Sequence, residues 1–303
     1  MRIAILGAGG VGGYFGALLA RSGHDVVLFA RGEHLAAIRE NGITVRDDNG
    51  SFSVPIRATD SVEGLAGAEF VIVAVKSYSL AEVAPVARTL ALAGATVVPL
   101  LNGVEAATDL ERMGVPVAQI MGGQTNVSAF KAGPGLIQRA IWKERIVVGE
   151  IGGGISPRAV NLVDAFRAAD VDAVASEQIV VDLWRKFNML CAMAAACGMA
   201  RSDVGSIRDT VLGNLLIERA VNEIAAVGRA KGVPIPVSQE SEIMALIEAL
   251  PPRMKPSFLL DLERGGPNEI EVLSGAVSRF GRDTGVATPV HDTAAAVLAP
   301  HGV

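Results

Sequence analysis

Apolar and polar positions fall into two regimes along this chain. In the first 175 or so residues, short continuous apolar runs recur between polar loops: Ile3 to Leu6, Val26 to Phe29, Phe70 to Val75 and Val97 to Leu101. Runs of this length, rich in β-branched residues, predict strands buried on both faces of a parallel sheet. Ile43 to Arg46 and Ser51 to Ile56 flank Asp47-Asp48-Asn49-Gly50, and the Asn-Gly pair predicts a β-hairpin inserted in that pattern. Ile120 to Ser128, Gly135 to Trp142 and Arg145 to Val148 read as further strands. A turn cluster, Gly152-Gly153-Gly154 with Ser156-Pro157, then opens a helix from Arg158 to Ala169.

Near Ser176 the period changes. From Glu177 onward the spacing predicts helices over Glu177 to Met199, Val204 to Lys231, Ser238 to Leu250, Glu269 to Gly285 and Pro289 to Leu298. Pro234, Pro236, Pro251, Pro252, Pro256 and Pro267 mark the breaks. The expected organisation is an α/β domain over 1–175 and an all-helical domain over 176–303. A cleft between two such domains is the natural place for a substrate.

The N-terminal stretch carries the sharpest chemistry. Gly7, Gly9 and Gly12 give the spacing G-x-G-x-x-G between the first strand and an apolar helix beginning near Tyr14. Gly7 permits the tight turn, Gly9 lets a pyrophosphate approach the backbone, and Gly12 lets helix and strand pack closely. Helix N-terminal N–H groups then face the phosphates. The reading is a Rossmann-type dinucleotide site built from Gly7, Ala8, Gly9, Gly10, Val11 and Gly12. A membrane anchor or signal segment is the rival reading of Ile3 to Ala20, which is free of charge; its six glycines and the single preceding Arg2 argue against that.

Arg31 follows the second strand, where an NAD-specific site places an acid on the ribose 2′-hydroxyl. A guanidinium there suits a 2′-phosphate, so NADP is the expected cofactor, with Glu33 keeping NAD open. Lys76 and Asn102 each follow a predicted central strand, at the carboxyl edge where open α/β sheets bind ligands.

Composition narrows the partners. Half of the 303 residues are hydrophobic and only 4% aromatic, so Ala, Val and Leu fill the core. A net charge of −5 offers no electrostatic footprint for nucleic acid or anionic membrane. Cys191 and Cys197 sit in an apolar segment and are expected to be buried thiols of a cytoplasmic protein. The histidines His24, His34, His291 and His301 are scattered, and no metal is expected.

Several separated stretches resemble the ketopantoate reductase (2-dehydropantoate 2-reductase) family over essentially the whole chain. They are the glycine motif, Val-Lys76-Ser, Leu-Asn102-Gly-Val, Leu-Trp184-Arg-Lys186-Phe, Pro-Ser257-Phe-Leu-Leu-Asp and Asn-Glu269-Ile-Glu, in the family's order. The resemblance implies NADPH-dependent reduction of a 2-oxo acid to a 2-hydroxy acid in the route to pantothenate. It makes Lys186 the proton donor, has Glu269 and Ser257 organise substrate and cofactor, and places Lys76 and Asn102 on the nicotinamide side. It also brings the backbone near Ser128 to the cofactor, and leaves a homodimer as open as a monomer. The chemistry agrees, because hydride delivered to a ketone leaves an alkoxide that needs an acid and a cation. Lys186 lies between Trp184 and Phe187, where desolvation lowers an ammonium pKa.

The chain also departs from the family in one coherent way. Asn is typical of the family four and eight residues after the Lys, and again in the next loop; here Leu190, Ala194 and Val204 stand there. Leu190 and Ala194 share a helical stripe with Lys186, so both are expected to line the substrate pocket. Asn188 falls on another face. Three readings follow: reduction of ketopantoate, reduction of a more apolar 2-oxo acid or other carbonyl compound, or a non-catalytic NADP-binding sensor. Lys186, Ser257 and Glu269 argue against the sensor.

Overall fold

A computed structural model describes residues 1–140 and 144–301. The chain divides into two compact units. Unit 1 comprises residues 1–101 and 105–179; unit 2 comprises residues 102–104 and 180–303.

Unit 1 begins with strand β1 (Arg2–Leu6), helix α1 (Gly10–Arg21) and strand β2 (Asp25–Phe29). Helix α2 (Gly32–Asn41) leads to the predicted hairpin, β3 (Ile43–Asp47) and β4 (Gly50–Val54), and to a short strand β5 (Arg57–Thr59). Then come β6 (Phe70–Val73), α3 (Leu80–Leu92), β7 (Thr96–Pro99) and α4 (Ala106–Arg112). The rest of the unit is β8 (Met121–Asn126), β9 (Ala129–Gly133), β10 (Leu136–Arg139), β11 (Arg145–Glu150), α5 (Pro157–Ala168) and β12 (Asp172–Ser176).

The main sheet is parallel, in the order β5-β2-β1-β6-β7. Apart from Arg2 at the start of β1, its central strands are buried, as continuous apolar runs require when helices cover both faces. The hairpin forms with Asp47 opposite Gly50, and the Asn49 N–H donates to the Asp47 carboxylate across the turn. It does not extend the main sheet. It builds a second one, β4-β3-β10-β9, while β12-β11-β8 form a third. Helix α1 is the hub of the unit, packing on the first sheet through Ile5 and Leu28 and on the second through Ile43 and Ile137. The expected strand from Gly135 to Trp142 is seen as Leu136–Arg139; Ile141 and Trp142 lie outside the described residues.

Unit 2 is helical, and no described residue beyond Ser176 is in a strand. Its helices are α6 (Ile179–Ala200), α7 (Val204–Arg208), α8 (Val211–Ala230), α9 (Gln239–Glu248), α10 (Ser257–Arg264), α11 (Ser274–Thr284) and α12 (Pro289–Leu298). The helix expected over Val204 to Lys231 is two helices. Thr210 is extended and accepts the Gly213 N–H through its hydroxyl, capping α8 and ending the first piece. The helix expected from Glu269 starts at Ser274, after a single 3₁₀ turn over Ile270–Val272. Trp184 and Phe187 anchor α6 edge to face, with ring centroids 5.7 Å apart. Among the described residues, no helix is long and apolar enough to cross a membrane.

Candidate functional site

The candidate residues fall into two groups, one in each unit.

In unit 1 the glycine turn leaves the carboxyl end of β1. Gly7 has a φ of +103°, a left-handed conformation that side chains other than glycine resist. A Cβ on Gly12 would stand 2.0 Å from the Gly7 carbonyl oxygen, so Gly12 lets helix and turn close on each other. Gly10 is equally constrained, since its Cβ would fall 2.0 Å from the carbonyl oxygen of Ala129 on β9. Gly9 differs: nothing lies within 4 Å of the place a Cβ would occupy. It caps α1, whose first turn holds no acidic residue to compete for its N–H groups. An open backbone at a helix N-terminus fits a dinucleotide pyrophosphate.

His34, on the first turn of α2, braces this turn. Its Nε2–H donates to the Ala8 carbonyl at 2.7 Å, and its Nδ1 accepts the Gly135 N–H at 2.9 Å. That pairing fixes one neutral tautomer, and burial lowers the ring's pKa in the same sense. Ser128 directly precedes β9, whose first residue, Ala129, lies against Gly10. Arg31 is the N-cap residue of α2 and exposed; its guanidinium pairs with Glu82 of α3 at 3.0 Å. Lys76 is partly buried and opens a 3₁₀ turn beyond β6. Sequence reasoning missed both His34 and Glu82. His34 meets partners 26 and 101 positions away and Glu82 meets one 51 away, so no local pattern marks either.

In unit 2, Asn102, Lys186 and Glu269 come together. The Asn102 amide donates to Glu269 Oε2 at 3.0 Å. Asn268 fixes Glu269 from the side, its Oδ1 accepting the Ile270 N–H at 3.1 Å and its amide donating to the His301 carbonyl at 2.8 Å. Burial pushes the Lys186 ammonium down to about 8, and the Glu269 carboxylate opposes that fall. The lowered pKa expected from the Trp184–Phe187 setting is therefore present, and its leading cause is burial.

In the same unit His291 is fully buried, its Nδ1 accepting from the Ser274 hydroxyl at 3.1 Å and its Nε2–H donating to the Ala220 carbonyl at 3.1 Å. Burial drops its pKa to about 4, so it stays neutral and ties α11, α12 and α8 together. Cys191 and Cys197 are buried thiols as expected, and burial raises Cys197 to about 12.

The departures from the family resolve unequally. Leu190 keeps accessible surface, whereas Ala194 and Val204 have 0% exposure and lie inside the helical core. Ala194 therefore does not line open space as the stripe argument expects; the neighbouring helices close over it. Asn188 is also fully buried and donates to the Val221 carbonyl of α8, so it holds a helix contact. Ser257 is exposed at the first residue of α10.

Comparison with known proteins gives the same picture over the whole length. The chain matches the model of ketopantoate reductase PanE/ApbA over residues 3–153 and that of its C-terminal domain over residues 178–301. A 2-dehydropantoate 2-reductase of Halobacterium salinarum is 31% identical over 300 residues, covering 97% of both chains. The crystal structure of a PanE/ApbA family ketopantoate reductase from Ralstonia eutropha superposes with a TM-score of 0.89 at 29% identity, over 100% of this chain and 98% of that one. D-mandelate dehydrogenase, in a ternary structure with NADH and anilino(oxo)acetate, gives a TM-score of 0.90 at 25% identity, over 100% and 98%. With its α/β and helical units matched in turn, the chain belongs to the ketopantoate reductase PanE/ApbA family of oxidoreductases.

Proposed function

We propose that this protein is an NADPH-dependent reductase that converts a 2-oxo acid to a 2-hydroxy acid, with ketopantoate as the first substrate to test. The observation that carries this reading is a partly buried lysine, brought by desolvation to a pKa of about 8, beside a carboxylate held by an amide. An ammonium with that pKa is charged at neutral pH and gives up its proton at little cost, as a general acid must. Lys186 donates to the carbonyl oxygen and its charge stabilises the developing alkoxide. Glu269 raises the ammonium's proton affinity and accepts from a substrate hydroxyl; Asn102 holds Glu269 in place.

Gly7, Ala8, Gly9, Gly10, Val11 and Gly12 hold the cofactor pyrophosphate, Arg31 its 2′-phosphate, and Lys76 and Ser128 its remaining length. When bound, the nicotinamide supplies the hydride. Neighbours of the same fold solved with NADH support a nicotinamide dinucleotide in this role.

One observation favours a second substrate reading. Leu190, four residues past Lys186, offers accessible apolar surface where the family typically presents an amide. A 2-oxo acid with a larger apolar side chain fits that surface better than ketopantoate. The structural neighbour crystallised with anilino(oxo)acetate, an oxo acid bearing an aromatic group, supports the alternative. The test is NADPH oxidation across a panel of 2-oxo acids. Selective turnover of ketopantoate supports the first reading, and preference for branched or aromatic oxo acids the second. Cofactor binding with no turnover of any member would sink both and leave a binding module.

A further inference from the structure

The Arg31–Glu82 pair stands in an informative place. Arg31 lies two residues past β2, and Glu82 lies in the first turn of α3, in the connection that leaves β6. In the sheet β2 and β6 flank β1, with Phe29 and Val73 both opposite Leu6. Strands one place apart in a sheet are about 4.8 Å from each other, so β2 and β6 are separated by roughly twice that. The 3.0 Å contact between the two side chains therefore spans the carboxyl end of β1, where the glycine turn departs. Open α/β sheets bind the ligand beyond this edge. The same guanidinium thus has two claims on it: the 2′-phosphate assigned to it above, and the Glu82 carboxylate 3.0 Å away.

We propose that Glu82 is a specificity-determining residue for the cofactor's 2′ position, narrowing the NADPH preference that Arg31 creates. The inference rests on the reading that the glycine turn of unit 1 binds a nicotinamide dinucleotide. Without cofactor, Glu82 holds Arg31 across the edge. A 2′-phosphate must draw the guanidinium away and then lies close to the carboxylate, a like-charge approach. A 2′-hydroxyl meets no such repulsion and donates to the carboxylate, the role an acid plays at the end of β2 in NAD-specific sites. One acid thereby penalises NADPH and favours NADH, which is discrimination through a repulsive element as well as an attractive one. Both side chains are more than half exposed, so the pair itself contributes little to folding and its replacement leaves the unit intact. The simpler role of Glu82 is to complement the N-terminus of α3, and that role moves stability without moving cofactor choice.

The experiment measures dissociation constants for NADPH and for NADH with the full chain, at low and at moderate salt. The variants are Glu82→Gln, Arg31→Ala and, as a control of equal charge change, Glu40→Gln, at an exposed position further along α2. Glu82→Gln is expected to widen the NADPH-to-NADH affinity ratio by about fivefold at low salt, the size of one like-charge contact near water. The widening should shrink as salt screens the charges. Arg31→Ala should collapse the ratio, and Glu40→Gln should leave it near the unmodified value. An unchanged ratio in Glu82→Gln, or an equal widening in Glu40→Gln, overturns the role of Glu82 while leaving the dinucleotide site standing. Binding of neither cofactor by the unmodified protein overturns the dinucleotide reading, and this inference with it.

Discussion

Asn102 and Glu269, 167 positions apart, share a hydrogen bond of 3.0 Å inside the helical unit. The segment carrying Asn102 is only three residues long, and it belongs to unit 2 although the chain on both sides of it belongs to unit 1. The amide has no acid or base chemistry of its own. What it does is hold one carboxylate oxygen, which sets where the charge opposite Lys186 lies. Removing it by Asn102→Ala leaves a 5%-exposed carboxylate short of a donor, at a cost of about 1–3 kcal/mol. The expected result is a fall in kcat/KM for the 2-oxo acid of roughly 5- to 150-fold, with the NADPH dissociation constant little changed. Steady-state kinetics beside a direct cofactor titration checks it.

The pH profile follows from Lys186. The reductive step needs the ammonium, so the rate should hold below the folded-state pKa and fall as pH rises through about 8. The reverse oxidation needs the free amine and should rise through the same value. Glu269→Gln removes the carboxylate that props the pKa up, so the limb should move to lower pH. A reductive profile flat from pH 6 to 10 would remove Lys186 as the acid.

The same shift has a consequence for stability. Lys186 titrates at about 8 in the folded protein and at 10.5 when unperturbed. Between those values the unfolded chain binds more protons, so this residue's contribution to stability improves as pH rises across that window. Below pH 8 the folded state carries the full cost of partly desolvating this charge. Lys186→Met should therefore be inactive yet more stable at pH 7, by about 1–3 kcal/mol. The advantage should shrink from pH 8 upward and vanish near 10.5. Denaturant unfolding of both proteins at pH 7 and pH 10 tests it; equal stability at both values would argue against a desolvated, shifted lysine.

Gly9 and Gly10 should respond oppositely to the same methyl group. Gly10→Ala forces a Cβ to 2.0 Å from the Ala129 carbonyl oxygen and should displace β9, at a cost of about 1–3 kcal/mol. Gly9→Ala meets no protein atom within 4 Å, and its φ of −75° suits alanine. Its fold should keep stability to within about 0.5 kcal/mol while NADPH affinity drops at least tenfold, since the added methyl occupies the phosphate's approach. Thermal unfolding without cofactor, paired with cofactor titration, separates the two.

Leu190 keeps accessible surface where Ala194 on the same stripe has none, so it is the position at which substrate preference should be adjustable. Leu190→Asn should raise the kcat/KM ratio of ketopantoate over an apolar 2-oxo acid by roughly 5- to 150-fold, the range for supplying a hydrogen bond to an unsatisfied polar group. Ala194→Asn puts an amide where no surface is exposed, and should lose stability without shifting preference. A ratio unmoved by Leu190→Asn would place the substrate's polar groups elsewhere.

The sequence by itself determined what depends on neighbours in the chain. The parallel strands were legible because strands covered on both faces must be apolar throughout, and the hairpin because Asn-Gly supplies the turn its register requires. The glycine turn was legible because each glycine answers a local demand for φ or clearance. The change to helices after Ser176 showed in the period. Short strands such as β5, β9 and β12 were not marked, because a few residues at a sheet edge hold too little pattern. The hairpin's membership of a separate sheet was equally hidden, since β10 reaches β3 from 92 positions away. Tertiary structure alone decided the electrostatics: the burial that lowers Lys186, the Asn102 amide on Glu269, the His34 brace and the Glu82 carboxylate on Arg31. It also decided that Leu190 stays accessible while Ala194, one helical turn on, does not. A residue's type and period say which face it shares, but its charge state and accessibility depend on what the rest of the chain brings against that face.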